Sequence, residues 1–262
     1  MRDANPVFIP GPTNIPPQVL RLMSQPTVDH RSAEFAQQMP ELMNKLRRVL
    51  KTEAAKVFIF PSTGTGGWEA AIANTLSRGD RVLACRHGVF SDKWIRLCQN
   101  FGLDVDVIEC DWRGPADPSQ IEARLAADTQ SKIKAVLVTH NETATGVRSD
   151  LPAIRHSINQ AGHDALLMVD GVSSIASMEF EMDSWGIDIA VTGSQKGFML
   201  PAGLAIIAMS ERAIAATYSA DLPKFFFDLR QMDEAVAAGG YPYTPATQLL
   251  SALSFSCDLL LD

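Results

Sequence analysis

Short runs rich in β-formers recur from Lys56 onward: "KVFIF", "RVLAC", "DVDVIE", "KAVLVTH", "ALLMVD", "IDIAVTGS" and "LAIIAMS". Helix-length segments or loops separate them. "GGWEAAIANTLSRGD" reads as a helix ending at Gly79, and "DPSQIEARLAAD" has an Asp/Pro/Ser start followed by apolar residues at helical spacing. "SDLPAIRHSINQAGH" repeats that pattern. Strands alternating with helices predict an α/β domain whose central sheet is mostly parallel and covered by helices on both faces. In such sheets ligands bind in the crevice beyond the carboxyl ends of the strands, which is where chemistry is to be sought.

The two flanks differ from this middle. Residues 1–55 carry "IPGPTNIPP", "DHRSAEF" and a helix through "QMPELMNKLRRVLK"; a proline-rich extended arm of this kind suits the surface of the domain or of a partner subunit. The last segment, "PATQLLSALSFSCDLLLD", is helical in pattern and ends on leucines without a glycine, proline or basic residue to close it. The expected organisation is an arm and helix over 1–55, a large domain over 56–245, and over 246–262 the start of a helix whose pattern reads as meant to continue.

Composition narrows the classes. With 23 basic and 30 acidic residues in 262, the formal charge is −7, which gives no support to nucleic acid or an anionic membrane as a partner. Cys85, Cys98, Cys110 and Cys257 show neither C-x-x-C nor a His/Cys metal spacing, so no metal is expected and the thiols suit a reducing compartment. The opening residues lack the apolar run of a signal peptide, and no later run is long enough to cross a bilayer; cytoplasm is the expected location.

Three strand ends bear candidate chemistry. "FIFPSTGTGGWEAA" leads through a Thr/Gly loop into a helix, where backbone N–H groups with the Thr63 and Thr65 hydroxyls can cradle a phosphate. The stretch is neither a Walker loop nor G-x-G-x-x-G, since Glu69 stands where the third glycine would be, and a plain turn and helix cap explains it equally well. "ALLMVDGVSS" ends an apolar run on Asp170, a carboxylate that needs a partner, such as a protonated heterocyclic nitrogen, or else caps the next segment. "DIAVTGSQKGFMLPAG" sets Lys196 among small and apolar residues. Lost hydration there lowers an amine's pKa and makes it a usable nucleophile, whereas a snorkelling lysine beside a glycine turn is the plainer account. "LVTHNETATGV" adds a further strand end with His140, Asn141, Glu142, Thr143 and Thr145. Together, a phosphate cradle, a strand-end Asp and a strand-end Lys in that order match what pyridoxal phosphate requires: a lysine for its aldehyde, a carboxylate for its ring nitrogen and a cradle for its phosphate.

These residues resemble a known family. "FIPGPTNIPP", "DHRSAEF", "FPSTGTGGWEAA", "LVTHNETATGV", "LLMVDGVSSI", "DIAVTGSQKGFMLPAGLAI" and "GGYPYTPAT" are similar, in order, to stretches of the class V, fold-type-I aminotransferases of the serine–, aspartate– and alanine–glyoxylate group. The likeness is closest to the serine- and aspartate-using branch. It implies a pyridoxal-phosphate enzyme that moves an amino group from a small amino acid to glyoxylate. It further implies that Lys196 is the cofactor-binding lysine with Gln195 beside it, that Asp170 partners the ring nitrogen, and that Val172 and Phe90 cover the two ring faces. Thr143 would lie near the phenolic oxygen, and Thr63, Gly64 and Thr65 would form the phosphate loop, where relatives often carry histidine at position 65. Tyr241 and Thr244 would reach the phosphate of a neighbouring subunit's cofactor, which implies a homodimer with shared sites. Gly11 would offer a backbone contact to the substrate carboxylate. Relatives continue into a smaller domain that supplies a carboxylate-binding arginine, so cofactor binding without efficient transamination is expected of this chain alone.

Three rivals remain at this level. A cysteine desulfurase of the same fold needs a reactive thiol, and Cys257 lies in an apolar helical run unsuited to one. A nicotinamide oxidoreductase fits the strand–helix alternation but not the failed glycine fingerprint. A non-catalytic relative, kept for dimerisation or cofactor binding, is compatible with the composition.

Overall fold

The computed structural model describes residues 6–262; the first five residues of the expected arm lie outside them. The central sheet has seven strands in the order β1-β9-β8-β7-β4-β2-β3. These are β1 (Lys56–Ser62), β2 (Arg81–Arg86), β3 (Asp104–Glu109), β4 (Ile133–Thr139), β7 (Leu166–Asp170), β8 (Ile189–Gly193) and β9 (Gly203–Met209). β9 is antiparallel to both of its neighbours, β1 and β8, and the other pairings are parallel. β1 therefore runs in the same sense as β8, and only β9 opposes the rest. This order is not the 3-2-1-4-5-6 of the dinucleotide-binding fold. A two-stranded ribbon, β5 (Asn141–Glu142) with β6 (Val147–Arg148), follows β4.

Alternate residues of each strand enter opposite cores, as the two-residue period of a strand requires. Val57 and Ile59, Leu83, Val136 and Val138, and Leu167 and Val169 face one core. Phe58 and Phe60, Val82 and Ala84, Ala135 and Leu137, and Met168 face the other. Because both faces are buried, the strands show near-continuous apolar runs. The first core is covered by α2 (Ala33–Leu50), α5 (Pro118–Ala127), α6 (Leu151–Gln160) and α9 (Thr247–Leu261); the second by α3 (Gly64–Thr75), α4 (Val89–Asn100), α7 (Glu211–Ala216) and α8 (Leu229–Ala237).

Two expectations need correction. The helix expected to run to Gly79 ends at Thr75. Leu76 turns extended and buries its side chain, and the Asp80 carboxylate takes the Ser77 N–H at 2.7 Å, so the chain makes a turn instead of another helical one. The arm is also not extended throughout: a short helix α1 (Pro17–Met23) starts at a proline, which suits a first helical position. α2 and α9 are joined by Lys45, whose amine meets Asp258 at 2.9 Å and Ser254 at 3.1 Å. Among the described residues no helix is long and apolar enough to cross a membrane.

Candidate active site

Because β1, β2, β4, β7 and β8 run the same way, the loops leaving their carboxyl ends meet at one edge of the sheet. Thr63, Gly64 and Thr65 follow β1, Phe90 follows β2, Asn141 and Thr143 follow β4, Asp170 ends β7, and Lys196 follows β8. They line one cleft, together with Val172, Gln195, Trp68 and Ser173. Thr63, Gly64, Thr65, Phe90, Thr143, Asp170, Val172, Gln195 and Lys196 were all expected there from the sequence.

The far end of the cleft is the start of α3. The first backbone bond of that helix runs from Gly67 N–H to Thr63 C=O, so the N–H groups of Gly64, Thr65 and Gly66 have no partner within the helix. Thr63 holds the N-cap position without using its hydroxyl to cap. A helix N-terminus with unclaimed donors and two free hydroxyls is a site for an anion. Gly64 is required by crowding: a Cβ there would collide with Val172 Cγ2 and lie 3.1 Å from its Cγ1.

Asp170 sits at the bottom, 4% exposed. Its Oδ1 accepts from Val172 N–H at 2.9 Å, and its Oδ2 from the Thr139 hydroxyl at 3.5 Å. Burial raises its pKa to about 7; the Glu142 charge pushes the same way, while the Val172 amide, Trp68 and Thr139 pull down. The carboxylate expected to stand ionised is thus, in the chain by itself, poised between its two forms, because burial outweighs the donors around it. A cation placed against it would restore the charge. The Trp68 indole Nε1 lies near enough to favour that charge, yet has no hydrogen-bond partner within good geometry.

Lys196 is 9% exposed, with its tip at the cleft. Burial lowers its pKa, and the Asp170 carboxylate opposes that shift. Its stem is held from above by the arm. Thr13 N–H donates to Gln195 C=O at 3.1 Å and the Thr13 hydroxyl to Lys196 C=O at 3.0 Å. A Cβ on Gly11 would collide with Lys196 Cδ and come within 2.8 Å of Cε. Gly11 therefore touches the lysine stem and does not line the cleft itself.

Tyr241 and Thr244 do not line this cleft either. They border a separate, open hollow with His30 and Arg31, and the Tyr241 hydroxyl donates to Ile59 C=O at 2.5 Å. Trp68, Asn141 and Ser173 are the lining residues that the sequence did not assign. Asn141 and Ser173 find each other across 32 residues, Asn141 Nδ2 donating to Ser173 Oγ at 2.9 Å and Ser173 Oγ to Asn141 C=O at 2.8 Å. Only Asn141, named above as part of a strand end, carried any signal.

An anion-binding helix start, a buried acid and a desolvated lysine at the carboxyl edge of a mostly parallel sheet define a fold-type-I pyridoxal-phosphate architecture. The class-V aminotransferase family matches residues 7–227, and the chain belongs to that family. It is 54% identical over 261 residues to the L-aspartate–glyoxylate aminotransferase of Paracoccus denitrificans, covering 100% of this chain and 66% of that one. It is 47% identical over 254 residues to the serine–glyoxylate aminotransferase of Methylorubrum extorquens, covering 95% of this chain and 63% of that one. The crystal structure of ureidoglycine–glyoxylate aminotransferase from Bacillus subtilis superposes with a TM-score of 0.91 at 31% identity, over 100% of this chain and 68% of that one. The chain thus spans less than two thirds of the length of the two curated relatives.

Proposed function

We propose that this chain forms the cofactor-binding part of a pyridoxal-phosphate-dependent transaminase that moves an amino group from serine or aspartate, with alanine as a further donor, to glyoxylate. The observation that carries the reading is the meeting of Lys196, Asp170 and the α3 N-terminus in one cleft. The cleft suits the cofactor chemically: unclaimed N–H donors for a dianion, an unpartnered Gln195 Oε1, and a buried acid in want of a cation.

When bound, pyridoxal phosphate supplies an electron sink for the pair left behind as the donor loses its Cα proton. The residues do the rest. Thr63, Gly64 and Thr65 bind the phosphate. Val172 would cover one ring face and Phe90 the other, a milder stack than a tryptophan would give, and Thr143 would serve the phenolic oxygen. Asp170 Oδ1 and Oδ2, oriented by Val172 N–H and Thr139, hold the ring nitrogen protonated. Lys196 Nζ, with its pKa lowered by burial, would hold the cofactor's aldehyde carbon and would carry the donor's Cα proton. Gly11 and Thr13 hold Lys196 from the side of the arm, and Gly11 would offer its backbone only to a substrate carboxylate that reaches past the lysine stem.

The reading includes a cytoplasmic homodimer in which Tyr241 and Thr244 reach the partner's phosphate. Their position beside His30 and Arg31, outside the cleft of their own protomer, is consistent with that use. The division at residues 55/56 and 245/246 belongs to the same reading. A desulfurase is disfavoured because burial pushes the Cys257 thiol up to about 12, leaving little thiolate.

The test is the cofactor-loaded protein, extended by the C-terminal domain of a relative, offered serine, aspartate and alanine with glyoxylate. Glycine formed with one of these donors supports the proposal. A protein that takes up pyridoxal phosphate but makes no glycine is a binding protein, and alanine with persulfide from cysteine marks a desulfurase.

A further inference from the structure

Glu142 is fully buried, yet it touches neither of the groups assigned to chemistry. Its Oε2 accepts from Phe90 N–H at 3.0 Å and Ser91 N–H at 2.9 Å, and its Oε1 from Ala144 N–H at 3.1 Å. The first two donors open α4, whose N-cap, Gly88, has no side chain to cap with. A Cβ on Gly88 would collide with Glu142 Cγ and lie 2.8 Å from Oε2, so the carboxylate fills the space a capping side chain would take. The third donor belongs to the loop after β5, which also carries Thr143.

We propose that Glu142 is a positioning residue that clamps the first turn of α4 to the β5 loop and so fixes Phe90 and Thr143 relative to one another in the cleft lining. A carboxylate suits the task because it accepts from several N–H groups at once and is favoured at a helix N-terminus. The part of this that concerns cofactor affinity rests on the function proposed above; the clamp itself does not. Glu142 also bears on Asp170, since its charge disfavours ionisation there. Lys196 also feels Asp170, and two imidazoles lie just past the ends of the neighbouring β2 and β4. His87, whose Nε2 bonds Thr139 C=O, and His140, whose Nδ1 meets Ser174 Oγ, both have pKa values lowered by burial.

Two variants separate shape from charge. Glu142→Ala removes the acceptors. Glu142→Gln keeps one oxygen for the α4 amides but turns an NH₂ toward Ala144 N–H. Amide hydrogen exchange on the cofactor-free protein is read first. In the Ala variant, protection at Phe90, Ser91 and Ala144 falls by about tenfold or more relative to amides of β4 and β7, and Gln restores it at Phe90 and Ser91 only. Unchanged protection at these three amides in both variants overturns the clamp. Titration with pyridoxal phosphate is read second: affinity falls by about tenfold in the Ala variant and less in the Gln variant. In Glu142→Gln the pH dependence of binding also moves to lower pH, because the charge opposing Asp170 is gone. Lost protection with unaltered affinity and pH dependence overturns the positioning role. A wild-type protein that binds no pyridoxal phosphate defeats the proposed function, while the exchange result still decides the clamp.

Discussion

Replacing Asp170 by asparagine should stabilise the cofactor-free protein, and more so as pH rises. The carboxyl ordinarily titrates near 3.8 and is pushed up to about 7 in the folded chain, chiefly by burial. Between those values the unfolded chain has released a proton that the folded chain keeps, so stability drains away as pH rises from 3.8 to 7 and levels off above. The interval between the two values, at about 1.36 kcal/mol per pH unit, gives a full penalty of about 4 kcal/mol above pH 7, of which roughly a third is already present at about pH 5. Asparagine keeps the shape, can accept from Val172 N–H through its oxygen, and carries no charge to desolvate. Urea unfolding of the wild type and Asp170→Asn, both stripped of cofactor, at about pH 5 and about pH 8.5 should show the variant's advantage grow by about 3 kcal/mol. Titrations of groups that do not feel the Asp170 charge are shared and cancel in the difference. A difference that does not change with pH would refute the argument that Asp170 is desolvated in wait of a cation. With pyridoxal phosphate present the order should reverse, since the wild type alone has a charge for the ring nitrogen.

Gly64→Ala drives a methyl into Val172 at the floor of the cleft, and the displaced valine should weaken pyridoxal phosphate binding by about tenfold or more, read by titration. Among the thiols, Cys98 and Cys257, both buried and both pushed up to about 12, should stay silent to an aromatic disulfide reagent until the chain unfolds, while half-buried Cys110, whose pKa is lowered, reacts first; early reaction at Cys257 would contradict the assigned packing.

The strands were legible because each is buried on both faces, and burial writes itself as an apolar run: "KVFIF" and "ALLMVD" need no tertiary knowledge to be seen. Asp170 and Lys196 were legible as polar residues closing such runs, and the resemblance gave them roles. What escaped was set by contacts distant in sequence. α4 has no local start signal, because its cap is a carboxylate more than fifty residues away; accordingly Phe90 was found through the resemblance and not through a helix. The end of α3 depends on Leu76 finding the second core and on Asp80 taking a backbone donor, against the pull of a helix pattern that runs on to Gly79. Trp68 lay inside a quoted motif, but nothing in the sequence showed its indole N–H approaching Asp170.

The central claim is a covalent one. Protein incubated with pyridoxal phosphate, reduced with borohydride, digested and examined by mass spectrometry should carry a single pyridoxyl group on Lys196, and Lys196→Ala should carry none. A group found on another lysine, or an equal yield in the Ala variant, would contradict it.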